Sequence, residues 1–132
     1  MALDVGLSDS RWGVAFQARG VIQLEDDGFY WALDRYLCNV PSSTGKAIDL
    51  YGDAAYDPTL IPAFRAALAQ ARVAYMSGPP VLAIHTGTQV HPVRREGFES
   101  IDRQELLTLI AKLDALAQQA SEEQLYLVFR GD

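Results

Sequence analysis

The chain has 132 residues, 49% of them hydrophobic and 21% charged, a balance that fits one globular domain over residues 1–132 and excludes long disorder. Its net charge of −6 at pH 7 makes binding to the phosphate backbone of a nucleic acid unfavourable. No apolar run reaches the roughly 20 residues that a membrane span needs, and no signal-peptide pattern opens the chain, so we expect a cytoplasmic protein that binds neither nucleic acid nor membrane.

The first quarter of the chain predicts a hairpin and a short helix. Residues 11–25 alternate apolar and polar side chains around a break at Arg19 and Gly20, which is typical of two paired strands. In "DDGFYWALDRYL", Phe29, Leu33 and Leu37 share one helical face, which favours a short helix. The single cysteine excludes an internal disulfide, and we expect it to be a small apolar core residue.

A strand and an amphipathic helix follow. "KAIDLYG" predicts a short buried strand, and either Asp57 or Thr59 is expected to cap the next helix, which "SGPP" ends. The apolar side chains of this helix recur three or four residues apart, as one buried face requires: they are Leu60, Phe64, Leu68, Ala71 and Tyr75.

The second half predicts a strand, a loop, a long helix and a final strand. "PVLAIHTGTQV" is the strand, residues 91–100 are the loop, and "QLYLVFRGD" closes the chain. Asp102 is expected to cap the helix, with Glu105 as its reciprocal partner. Its apolar stripe contains Leu106, Leu109, Ile110, Leu113 and Leu116.

Together these elements predict an α+β fold. We expect a mixed β-sheet of about five strands, with two main amphipathic helices packed mostly on one face. Because helices separate several of the strands, some parallel pairing is expected, and the opening hairpin adds antiparallel pairing.

Catalytic chemistry has weak support in the sequence. His85 and His91 lie six residues apart, and Glu96 offers a carboxylate nearby, but the spacing matches no common metal or acid-base motif. We therefore expect no catalytic, cofactor or metal site. A small enzyme that uses His85 or His91 stays open as an alternative.

Acidic and aromatic residues cluster at two places, in "EDDGFYW" and "YGDAAYD". Aromatic side chains supply much of the binding energy in protein interfaces, and carboxylates attract a basic partner. The competing interpretation is that the aromatics belong to the core and the acids cap turns or helices. The candidate partner-binding residues are Asp26, Asp27, Tyr30, Trp31, Asp53, Tyr56 and Asp57.

Two segments resemble small bacterial immunity proteins of polymorphic, contact-dependent or secreted toxin systems. "AIDLYGDAAYDPTLIPAFRAAL" is similar to their strand, Tyr-Gly-Asp turn and helix, and "LLTLIAKLDALAQQASEEQLYLVFRGD" to their leucine-rich helix and terminal strand. The two prolines near the helix start, Pro58 and Pro62, depart from that pattern, and no contact residue carries over.

The resemblance implies a cytosolic antidote, without enzymatic activity, that blocks the active site of a cognate toxin used in bacterial competition. A toxin with a basic active-site cleft would suit an acidic antidote, because complementary charge accelerates encounter. A regulatory adaptor domain with an unrelated partner is the other alternative.

Overall fold

The protein contains three helices and six strands within residues 2–9, 22–43, 45, 48, 53–89 and 95–131, which are the residues that the computed structural model describes. No helix in these ranges has the length and apolar content needed to cross a lipid bilayer. In chain order the elements are β1 (Ala2–Ser8), β2 (Ile22–Glu25), α1 (Gly28–Leu37), β3 (Asp53–Tyr56), α2 (Ile61–Met76), β4 (Val81–Gln89), β5 (Arg95–Asp102), α3 (Arg103–Glu123) and β6 (Tyr126–Gly131).

The strands form two antiparallel sheets. The larger sheet has the order β2-β1-β6-β3, so the last strand of the chain lies between β1 and β3. Phe129 on β6 pairs with Val5 on one side and Ala54 on the other. The smaller sheet is the hairpin of β4 and β5, whose register shifts between His85 and Gly87.

Local chemistry explains where the helices begin and end. The side chain of Asp102 accepts a hydrogen bond from the Glu105 backbone N–H at 2.9 Å, which caps α3. The helix ends at Gln124, which adopts the left-handed conformation with φ 57°. A proline in the first turn of α2, Pro62, costs no helical hydrogen bond because that N–H has no partner inside the helix.

Helices α2 and α3 lie antiparallel. Arg103 at the start of α3 donates to the Gly78 carbonyl just after α2, at 2.6 Å. Further along, Arg65 on α2 forms two hydrogen bonds with Asp114 on α3, at 2.8 and 3.1 Å. These polar contacts add to the apolar packing of the two helices, whose buried faces belong to the same core.

The main core lies between one face of the larger sheet and the helices. Side chains on a strand alternate between faces, so Leu127 and Phe129 point to this core while Val128 points away from it. Burying one large apolar side chain stabilises the fold by about 1.5–3 kcal/mol. Val128 and Ala55, both about 1% exposed, form a small buried cluster on the opposite face.

The α+β class and both main helices are confirmed, and α1 confirms the short helix. The expected parallel pairing is wrong, since all four strand pairings in the described residues are antiparallel. The reason is that α2 and α3 each connect strands of different sheets, so neither helix joins two neighbouring strands. The described strands therefore form two sheets and not the single sheet that the sequence predicted.

Several details also differ from the sequence predictions. Residues 95–100, expected as loop, belong to β5, because pairing with β4 buries Ile101 beside Leu82 and Ile84. Residues 2–8 form a strand that the sequence reading missed, and Cys38 is exposed at the end of α1 instead of in the core. The first arm of the predicted hairpin at residues 11–16 lies outside the described residues.

The strand predicted at residues 46–52 also lies outside the described residues, except that Ile48 is described and is buried. The strand that the structure describes in this region is β3, which begins at Asp53. The described strand therefore lies closer to α2 than the strand that the sequence predicted, and Tyr56 is its last residue.

Tyr56 lies at the centre of an aromatic cluster in the core. Its ring centroid is 5.3 Å from that of Phe64 and 5.7 Å from that of Phe129. The side chain is 0% exposed, and its hydroxyl has no hydrogen-bond partner among the described residues. Tyr75, by contrast, donates its hydroxyl hydrogen bond to the Ala32 carbonyl at 2.7 Å.

We expect Tyr56→Phe to raise the free energy of unfolding by about 1 kcal/mol, because the substitution removes a buried hydroxyl without a partner. Tyr75→Phe is the matched control and should lower it by about 1 kcal/mol, since it breaks a buried hydrogen bond. Urea denaturation at neutral pH measures both. Equal destabilisation by the two variants would contradict the prediction.

Burial also raises the pKa of both tyrosines above the ordinary value of 10.0. The unfolded chain loses these protons first, so the stability they contribute is complete below pH 10 and falls as pH rises toward the folded-state pKa. Denaturation between pH 8 and 11 should show this loss, and each Tyr→Phe variant should lose less than the parent chain. If the stability of the parent chain did not change over this pH range, the predicted loss would be wrong.

Candidate protein-binding surface

The turn between β2 and α1 gathers several carboxylates at one corner of the molecule. Asp27 has an extended backbone conformation, with φ −145° and ψ −176°, and caps α1. Its Oδ1 accepts hydrogen bonds from the backbone N–H groups of Phe29 at 3.0 Å and Tyr30 at 3.3 Å. The positive end of the helix dipole favours a negative charge at this position.

A carboxylate from the distant hairpin completes this cap. Glu99 on β5 accepts a hydrogen bond from the Gly28 N–H at 2.9 Å, although the two residues are 71 positions apart. Gly28 permits the approach, because a Cβ there would lie 2.6 Å from Cγ2 of Ile101. The hairpin and the start of α1 are therefore in direct contact.

Asp26 is tied to the neighbouring aromatic side chain. Its Oδ1 accepts a hydrogen bond from the Trp31 indole N–H at 2.9 Å, and both residues lie at the surface, with Asp26 exposed and Trp31 partly so. The Trp31 ring packs edge-on against Tyr30, with centroids 5.1 Å apart. We call the set Glu25, Asp26, Asp27, Trp31 and Glu99 the acidic corner.

The second group of acids serves mainly to hold the chain together. Oδ1 of Asp57 accepts hydrogen bonds from the backbone N–H groups of Thr59 and Leu60 and from the Thr59 hydroxyl, while Oδ2 accepts one from Ser43. The hydrogen bond from the Thr59 hydroxyl is the largest cause that lowers the pKa of Asp57 below its usual value. Asp57 thus holds the turn before α2, but the N-cap of the helix is Leu60 and not Asp57 or Thr59 as the sequence predicted.

Asp53 binds the neighbouring strand. Its Oδ2 forms an ion pair with Arg130 at 3.0 Å, and its Oδ1 accepts a hydrogen bond from the Gly131 N–H at 3.3 Å. Asp53, Arg130, Asp4 and Gln23 occupy directly paired positions across all four strands. Asp53 is therefore part of a polar row on the sheet face that points away from the helices.

The structure corrects the expected contact set. Tyr30 is 6% exposed and Tyr56 is 0% exposed, so both belong to the core and neither presents its ring to a partner. Trp31 with Asp26 and Asp27 lies beside β2, whereas Asp53 and Asp57 lie at the β3 edge. The two edges are three strand spacings apart, roughly 14 Å, so the seven residues do not form one patch.

The histidine alternative gains little from the geometry. His85 is exposed on the hairpin, and its ring lies edge-on to Phe98, with centroids 5.3 Å apart. His91 lies outside the described residues. Within the described part of the chain, no group of three or more His, Cys, Asp or Glu side chains is arranged to hold a metal ion.

Sequence reasoning missed two residues that shape these sites. Glu99 falls in the segment expected to be a loop, so its approach to Gly28 had no signal along the chain. Arg130 follows the apolar run of the last strand, and its partner Asp53 is 77 positions away. The glycine directly after the acidic pair, Gly28, is the one local hint that something packs closely against this turn.

We expect Asp27→Ala to lower the free energy of unfolding by about 1 kcal/mol, because two backbone N–H groups of α1 lose their acceptor. Asp27→Asn keeps an acceptor oxygen and should cost clearly less, while Asp26→Ala removes only an exposed hydrogen bond. Thermal and urea denaturation of the three variants measures the order of their stabilities. Equal stability of Asp27→Ala and Asp26→Ala would argue against a capping role.

Comparison with known proteins identifies no relative: no family profile, curated protein or solved structure matches the chain. The resemblance to immunity proteins thus stays a prediction from two sequence segments. Further support for a function comes from the charged and aromatic side chains of the acidic corner.

Proposed function

We propose that this protein is an immunity protein that binds a cognate bacterial toxin in the cytoplasm and inhibits it by covering its active site. It acts by binding and performs no catalysis. The observation that carries the proposal is the acidic corner, where four carboxylates lie around the start of α1 and one of them, Asp26, binds a partly exposed indole.

The acidic corner is organised before any partner arrives. Asp27 and Glu99 are held by backbone N–H groups, and Asp26 is held by the Trp31 indole. Side chains that are already ordered lose little conformational entropy on binding, so more of the interaction energy contributes to affinity. This property suits a tight inhibitor.

Charge favours a basic partner surface. Carboxylates near the rim of an interface accelerate encounter with a cationic cleft, and the net charge of −6 adds a long-range attraction. In the proposed complex, Asp26 bonds to Arg or Lys side chains of the toxin and Trp31 packs against its surface. Asp27 and Glu99 contribute negative potential while they hold α1.

Asp53 and Asp57 have a smaller part in this proposal. Both oxygens of each side chain already bind groups of their own chain, such as Arg130 and Thr59, whereas Asp26 uses only Oδ1 in the described part of the chain. They add to the overall negative potential, but a partner that used them directly would have to displace these bonds. The main contact is therefore assigned to the acidic corner.

Co-expression in bacteria tests the proposal. The toxin domain encoded beside this protein would be expressed with and without it, and cell survival would be measured together with co-purification. Rescue with a stable complex is the expected result. Continued cell death and no complex would refute the proposed pairing.

With the complex in hand, Asp26→Lys should slow association by roughly threefold or more at low salt, with a smaller effect at high salt. Glu122→Lys is the matched control, because it makes the same charge change at an exposed position near the end of α3. Stopped-flow or surface-based kinetics measures the rates. Identical slowing by both variants would indicate a net-charge effect and remove the acidic corner as the contact.

A further inference from the structure

A second exposed surface, made of different elements, runs along the outer side of α2. Its residues are separated by four, three, four and three positions, the spacing at which side chains stay on one side of a helix. Val73 and Met76 are 67% and 51% exposed and continue this stripe toward the end of the helix, so the exposed apolar residues are contiguous. The stripe consists of Pro62, Ala66, Ala69, Val73 and Met76.

This stripe borders a groove between α2 and α3. The groove has a volume of about 690 Å³ and an apolar lining that includes alanines from both helices. The alanines are Ala66, Ala69, Ala111 and Ala115. Such small side chains allow another backbone to approach closely where they line the groove, while Arg65, Asp114 and Gln118 add larger polar side chains to the same lining.

The charges around the groove are unequal. Arg65 is paired with Asp114 across it, so these two charges largely neutralise each other. Arg72 also lines the groove and forms no ion pair or hydrogen bond in the described part of the chain. The groove thus offers an apolar floor with one available cation in a chain whose net charge is negative.

We propose that this groove binds an amphipathic helix of a partner protein, one that carries an acidic residue to pair with Arg72. The groove is lined on α2 from Ile61 to Arg72, eleven helical rises of about 1.5 Å, and the stripe continues past it to Met76, so a docked helix of three to four turns matches its length. Its heptad-like spacing suits ridges-into-grooves packing and would not match an extended peptide, whose side chains alternate with period two.

Charge complementarity selects the occupant. A helix with an acidic residue gains an ion pair with Arg72, whereas a second copy docked through the same groove would bring Asp114 as its lining carboxylate, which Arg65 already holds. The acidic corner attracts cations, so it and the groove select partners of opposite character. The inference does not rest on the proposed immunity function.

A peptide display experiment on the full chain tests this assignment. The probe is a phage-displayed library of random peptides of about 18 residues, long enough to form the required turns. Enriched peptides should carry apolar residues three and four positions apart together with Asp or Glu. Ala69→Arg, which fills the groove, should weaken their binding about tenfold or more.

Two further variants sharpen the test. Ala74→Arg adds the same side chain to the same helix at an exposed position rotated by roughly 140°, and should leave peptide binding unchanged. Arg72→Glu should shift the selected peptides from acidic to basic. Circular dichroism and thermal melting verify that all the variants are folded.

Other outcomes would overturn the proposal. Peptides without helical periodicity, no enrichment, or equal weakening by Ala69→Arg and Ala74→Arg would each exclude a helix in this groove. The remaining possible occupant is a second copy of this chain. Sedimentation of the parent chain and of Ala69→Arg measures whether a dimer forms through the groove. A dimer that only Ala69→Arg disrupts would assign the groove to a second copy and refute the partner helix.

Discussion

The larger sheet depends on the insertion of the last strand, β6, between β1 and β3. β6 shares backbone hydrogen bonds with both neighbours, and its Leu127 and Phe129 enter the core at 0% and 1% exposure. Without β6, the β1–β2 pair and β3 would have no common partner and their inward faces would be exposed. Because β6 joins residues from both ends of the chain, the sheet requires contacts of long sequence separation, which form slowly. The helices gain a surface to pack on only when this pairing exists.

A second long-range contact creates the acidic corner. The approach of Gly28 to Ile101 brings the hairpin against the first turn of α1 and places Glu99 beside the helix end. The corner therefore combines residues from β2, α1 and β5 and exists only in the folded chain. Two of its carboxylates, Asp27 and Glu99, accept hydrogen bonds from N–H groups of α1, so their negative charge also stabilises the helix. This coupling is why a charge probe of binding is better placed at Asp26 than at Asp27.

Local signals in the sequence predicted what local chemistry determines. The Asp102 cap of α3 and the apolar stripes of both helices were predicted, because each depends on residues within a few positions of one another; the cap expected for α2 was wrong, since its N-cap is Leu60. Strand pairing was not, since the partners of β6 lie over 70 positions away. "DAAY" is too short for its alternation to be seen, which is why Tyr56 was expected at the surface. Glu99 was missed for the same reason as Arg130: each acts on a distant part of the chain.

The two exposed surfaces make different physical demands on a partner. The acidic corner presents charges fixed by hydrogen bonds, so its contribution is greatest to the rate and orientation of encounter and is reduced by salt. The groove presents apolar area between two helices that pack into the same core, so little reorganisation is needed when it is filled. Its contribution would therefore appear in the dissociation rate and persist at high salt. Salt dependence of binding kinetics consequently separates the two surfaces, even when the partner is the same protein.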